Sequence, residues 1–145
     1  MNDKTWKIAC LVELCLLMAA LLISTFMGGC TKQIECTSGN VPMKCYWTFL
    51  AVPLICIPGG WAVFAAAVSG EKKVRRVAML SALLSAVCSL LCIWVVIGIC
   101  TGAGSHGCTP TAIATSVALG LSAALAVVLI AMADPKAADQ PKMKL

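Results

Sequence analysis

Four long, predominantly apolar runs, at 8–27, 46–69, 77–100 and 111–133, decide what this chain can fold into. An α-helix rises about 1.5 Å per residue, so about 20 apolar residues cross a hydrocarbon core of roughly 30 Å. Inside that core no water bonds the backbone, and a helix satisfies its own N–H and C=O groups. The runs therefore predict an all-α bundle of four transmembrane helices. They consume most of the 145 residues, leaving two outer loops, one short inner turn and brief tails, so a single integral membrane domain is expected over 1–145. Composition agrees: 61% of residues are hydrophobic and 12% charged, against about half and about a quarter in soluble domains.

Orientation follows from where Lys and Arg fall, because positive loop residues are retained in the cytoplasm. With both termini inside, Lys4, Lys7, Lys72, Lys73, Arg75, Arg76, Lys136, Lys142 and Lys144 lie at inner ends, and only Lys32 and Lys44 lie outside. The formal net charge of +5 thus reports topology. The turn "EKKVRR" is placed to meet membrane lipid through anionic head groups. A nucleic-acid partner is not expected, since these basic residues form no extended patch with interleaved aromatics. The sequence "FMGGC" ending at Cys30 has the look of a lipoprotein cleavage box, but the apolar run before it exceeds the usual 7 to 15 residues of a signal peptide.

Within the spans, three features stand out. Glu13 is an intramembrane acid about a turn and a half above Lys7. At that depth a carboxyl is neutral, paired with another span, or close enough to the inner surface to be wetted. Span 2 carries Pro53 and Pro58, with Gly59 and Gly60 just after; missing backbone donors predict a bent or locally broken helix and a candidate cavity wall. Small residues recur every fourth position at Ser81, Ser85 and Ser89 and again at Ser116, Gly120 and Ala124. That spacing lets helix backbones approach closely, so these faces should pack together or against another protein.

Ten cysteines divide by location. Cys10, Cys15, Cys56, Cys88 and Cys92 fall within spans, where a thiol behaves as a small hydrophobe. Cys30, Cys36, Cys45, Cys100 and Cys108 fall on the outer, oxidising side. Loop 1, "GGCTKQIECTSGNVPMK", is too short and polar for a core of its own, and loop 2, "CTGAGSHGC", is glycine-rich. Disulfides within or between them would order both, with Cys30 left odd and the connectivity open. Met43, Cys45, His106 and Cys108 also form a soft donor set suited to copper, zinc or a haem iron, though no C-x-x-C occurs in either loop. Thiol exchange by the outer pairs is a third reading. Tyr46 and Trp47 fit an interfacial aromatic belt.

"MKCYWT" at the mouth of span 2, "IGIC" closing span 3 and "HGCTPTA" opening span 4 resemble the landmarks of domain-of-unknown-function family 4418. These are small four-span membrane proteins of bacteria, and the resemblance runs over roughly 8–133. It implies Met43, Lys44 and Cys45 as the first motif, Cys100 and Cys108 around the second loop, and Cys36 as the upstream thiol. Family members often show His where this chain has Tyr46. Their genes often stand beside ABC-transporter genes, which implies an accessory subunit of the bacterial cytoplasmic (inner) membrane. The chain shows no paired carboxylates, nucleophile with a base, phosphate loop or metal-spaced cluster, which argues against an enzyme. Two functional classes follow: a non-catalytic subunit bound to an ABC permease, or an extracytoplasmic thiol-redox or metal- or haem-handling protein.

Overall fold

The computed structural model describes residues 3–27, 33–36, 39–42, 44–69, 71–99 and 108–132. Over them the chain forms α1 (Asp3–Met27), a hairpin of β1 (Gln33–Cys36) and β2 (Gly39–Pro42), α2 (Lys44–Val68), α3 (Lys72–Leu91) with a π-helical turn at Cys92–Val96, and α4 (Cys108–Met132). All four helices are long and apolar enough to cross a membrane. The helix bounds extend the apolar runs at their polar ends, because Lys44, Cys45 and Lys72 to Arg76 continue the helical backbone beyond the hydrophobic stretch.

The helices form a four-membered ring in which α1 packs on α2 and α4, and α3 packs on the same two. Short-range contacts fix the alternating direction. Trp6 Nε1 near the start of α1 donates to Ala66 O near the end of α2 at 3.3 Å, and Thr111 Oγ1 at the start of α4 donates to Met27 O at the end of α1 at 3.1 Å. One end of the bundle consequently holds Lys4, Lys7, Lys72, Lys73, Arg75 and Arg76, and the other holds Lys44 and the hairpin. At the basic end Arg75 Nη2 reaches Asp3 Oδ1 at 2.7 Å, and its guanidinium lies 5.1 Å from the Trp6 ring centroid. Arg75 Nε also donates to Ser69 O at 3.2 Å, so one side chain ties α1 to the α2–α3 turn.

The packing is inverted relative to a soluble bundle. Small and hydroxyl-bearing side chains such as Ala20, Ala82, Ala86, Ala112, Ser89 and Thr115 are buried, while Phe26, Trp61, Val68 and Val95 face outward, Phe26 at 80% exposure. A soluble monomer rarely exposes contiguous apolar surface of that extent. In hydrocarbon the large side chains lose nothing by facing out, and small ones let backbones approach. Leu17, Met79, Ile93 and Leu119 fill the remaining interior.

Two local features differ from the expectation of a break in span 2 and add to that of a polar loop 1. α2 runs unbroken from Lys44 to Val68 through both prolines, held on one side by α1 and on the other by α3. Loop 1 contains an antiparallel ladder, with Ile34 opposite Val41 and Cys36 opposite Gly39. The end of α3 is wider than an α-helix, since Ile97 N and Gly98 N both donate to Cys92 O, at 3.3 and 3.2 Å. Gly98 ends it with φ +78°, a left-handed conformation that a Cβ would strain. Thr48 Oγ1 of α2 then donates to Gly98 O at 2.7 Å, tying this terminus to the neighbouring helix.

Candidate functional site

Glu13 is the charged-type side chain at the centre of the bundle, 0% exposed. Its placement follows from α1 turning the stripe Trp6, Cys10, Glu13, Leu17, Ala20 and Ser24 inward. Ser122 Oγ of α4, 109 residues away in sequence, donates to Glu13 Oε1 at 2.5 Å. Glu13 Oε2 and Thr115 Oγ1 are buried with no hydrogen-bond partner among the described residues. On the other side of the ring, Cys56 Sγ of α2 lies 3.6 Å from Ser89 Oγ of α3. Among the described residues every helix therefore brings buried hydroxyl, thiol or carboxyl groups to the interior, and the α1–α4 contact is the one that includes a carboxyl. Ser122 and Thr115 escaped sequence reasoning; the available signal was the spacing Thr111, Thr115, Ser122, which repeats at helical intervals inside an otherwise aliphatic run.

The two small-residue series separate. Ser81 is half-buried, and Ser85 and Ser89 are buried, facing α2 rather than α4. A Cβ added to Gly59 would stand 2.7 Å from Ser85 Oγ and 2.8 Å from Ser85 Cβ, so α2 and α3 touch there at a distance only glycine permits. On α4, Ser116 accepts a hydrogen bond from Trp94 Nε1 at 2.8 Å, but Gly120 and Ala124 face away from the bundle. A Cβ on Gly120 would meet nothing within 4 Å. The α4 surface that packs inward is a different one, built from Ala112, Thr115, Ala118, Leu119, Ser122, Ala126 and Leu129.

Among the outer sulfur residues, Cys45 and Cys108 sit in the first turns of α2 and α4 and are buried. Both lie at the hairpin end of the bundle, inside the first helical turns that border the two outer loops. Cys36 is the last residue of β1, paired in register with Gly39. Cys30, Met43, Cys100 and His106 lie outside the described residues. Among the described residues no group of three His, Cys, Asp or Glu side chains is placed to hold a metal ion. In the spans, Cys10 and Cys56 are buried free thiols, Cys88 and Cys92 half-buried, and Cys15 exposed.

Two grooves open between α1 and α2. The larger, about 290 Å³, is walled by Leu14, Leu17, Met18, Cys56, Trp61 and Phe64 with Gly60 among them. Trp61 and Phe64 stand edge-to-face, their centroids 6.1 Å apart. The smaller, about 230 Å³, lies toward the hairpin end beside Pro53, Phe49 and Ser24.

No protein-family model, curated protein or solved structure matches the chain, so the likeness to family 4418 rests on the sequence motifs alone.

Proposed function

We propose that this chain is a non-catalytic integral membrane subunit that docks on a larger membrane protein through the outer face of α4. In the same reading the partner is an ABC-type permease, as the family resemblance implies, and both termini face the cytoplasm of a bacterial cell. The supporting observation is Gly120. It lies on an exposed α4 stripe with Ile113, Val117, Ala124 and Val128, and open space stands where its Cβ would be. Small residues on an outward helix face allow a second helix to approach closely, and in lipid such close packing is one of the forces that drive helix association.

The test is affinity capture of the wild-type and Gly120→Leu proteins in mild detergent, followed by mass spectrometry. The reading expects a permease and its ATPase with the wild type and at least about a tenfold loss with Gly120→Leu, equivalent to about 1.4 kcal/mol of association. Recovery of the wild-type protein without a membrane partner, or equal recovery by both, contradicts it.

A further inference from the structure

The larger α1–α2 groove and the basic end of α1 share one helical face. Seven residues make nearly two full helical turns, so Lys7, Leu14 and Leu21 lie almost in line, as do Lys4, Leu11 and Met18. Leu14, Met18 and Leu21 wall the groove. Lys4 and Lys7 therefore stand where the same face leaves the apolar belt. Both are exposed. Lys7 Nζ lies 3.4 Å from Asp3 Oδ2, but that carboxylate is held more closely by Arg75, at 2.7 Å, and an ammonium carries three donors.

We propose that this groove binds an anionic phospholipid, with one acyl chain against Leu14, Met18, Trp61 and Phe64 and the phosphate held by Lys4 and Lys7. The inference rests on the membrane reading of the four helices and is independent of the α4 partner. Three features fit the occupant. The lining is almost wholly apolar, as a hydrocarbon chain requires. The flat faces of Trp61 and Phe64 give it a rigid wall, and both are exposed on the bundle surface. Lys4 and Lys7 put positive charge at the mouth nearest the groove's α1 face, so a zwitterionic head group gains less there than an anionic one.

Native mass spectrometry of the full chain, purified with equimolar phosphatidylglycerol and phosphatidylcholine of identical acyl chains, tests the assignment. The wild type should retain phosphatidylglycerol over phosphatidylcholine by about tenfold, from two lysines near the head group. Lys4→Gln with Lys7→Gln should abolish that preference. Gly60→Leu should reduce retention of both lipids by filling the groove, where the first added atom, a Cβ, meets only Leu14 Cδ1 at an ordinary 3.6 Å, and its helical circular dichroism and melting should match the wild type. Soluble glycerol phosphate should not compete. Equal retention of the two lipids by the wild type, an unchanged preference in the double lysine variant, full retention by a folded Gly60→Leu protein, or displacement by glycerol phosphate would each overturn the proposal.

Discussion

A carboxyl at mid-bundle depth has to find its hydrogen bonds in the protein, because hydrocarbon offers none. Glu13 finds one, from Ser122, and keeps one oxygen unpartnered among the described residues. Removing the donor therefore hurts more than removing the acid. Ser122→Ala should destabilise the protein by about 1–2 kcal/mol in reversible detergent–SDS unfolding, since it strips the carboxyl of its partner. Glu13→Leu should cost less, because the abandoned Ser122 hydroxyl can bond a carbonyl in its own helix. A larger loss from Glu13→Leu than from Ser122→Ala would contradict this account of the pair. That Glu13 is intramembrane was readable from the sequence, since it interrupts an apolar run; its partner was not, because Ser122 lies on another helix and a residue spacing carries no information about which helices adjoin.

At the scale of the elements, two glycines do what no other residue can. Gly59 sets the α2–α3 distance against Ser85, so Gly59→Ala should cost about 1–3 kcal/mol through overpacking. The combination with Ser85→Gly should recover part of that, while Ser85→Ala should not, because Ser85 Cβ itself stands 2.8 Å from the new methyl. Equal rescue by both variants would place the strain elsewhere. Gly98 closes the π turn at φ +78°, and Gly98→Ala should cost about 1–2 kcal/mol, with faster hydrogen exchange at Ile97 and Ile99. Unchanged exchange there would show that the left-handed residue does not hold the terminus. The helices were legible as uninterrupted hydropathy, and with them the C-terminal ends at Met27, Val68 and Met132; the N-terminal ends were not, since Lys44, Cys45 and Cys108 are helical without being part of an apolar run. The hairpin was hidden for a related reason. Each strand has four residues, and the alternation around Ile34 and Val41 is too short to stand out from a polar loop. Of the bend or local break that the prolines predict, the break is absent, because packing of α2 between α1 and α3 keeps the helix continuous.

For the molecule as a whole, the inverted packing and the segregation of charge tell one story. Large apolar side chains surround a core of small and hydroxyl-bearing ones, and six described Lys and Arg residues gather at one end against Lys44 at the other. Hydropathy made the spans visible, the Lys and Arg positions the charge bias, and Pro53 and Gly60 of the expected cavity wall line the α1–α2 grooves; ring order and the inward face of α4 are properties of tertiary packing that sequence periodicity does not encode. The outward stripe at Gly120 and the lysine-capped groove are then two distinct surfaces, one for a protein and one for a lipid. Both proposals presuppose a bilayer around the four helices with the basic end inside. Amine labelling of intact cells with a membrane-impermeant reagent, followed by peptide mapping, tests this most directly. The account predicts modification of Lys44 on intact cells and of Lys72 and Lys73 only after permeabilisation; labelling of Lys72 and Lys73 from outside, with Lys44 protected, would contradict it.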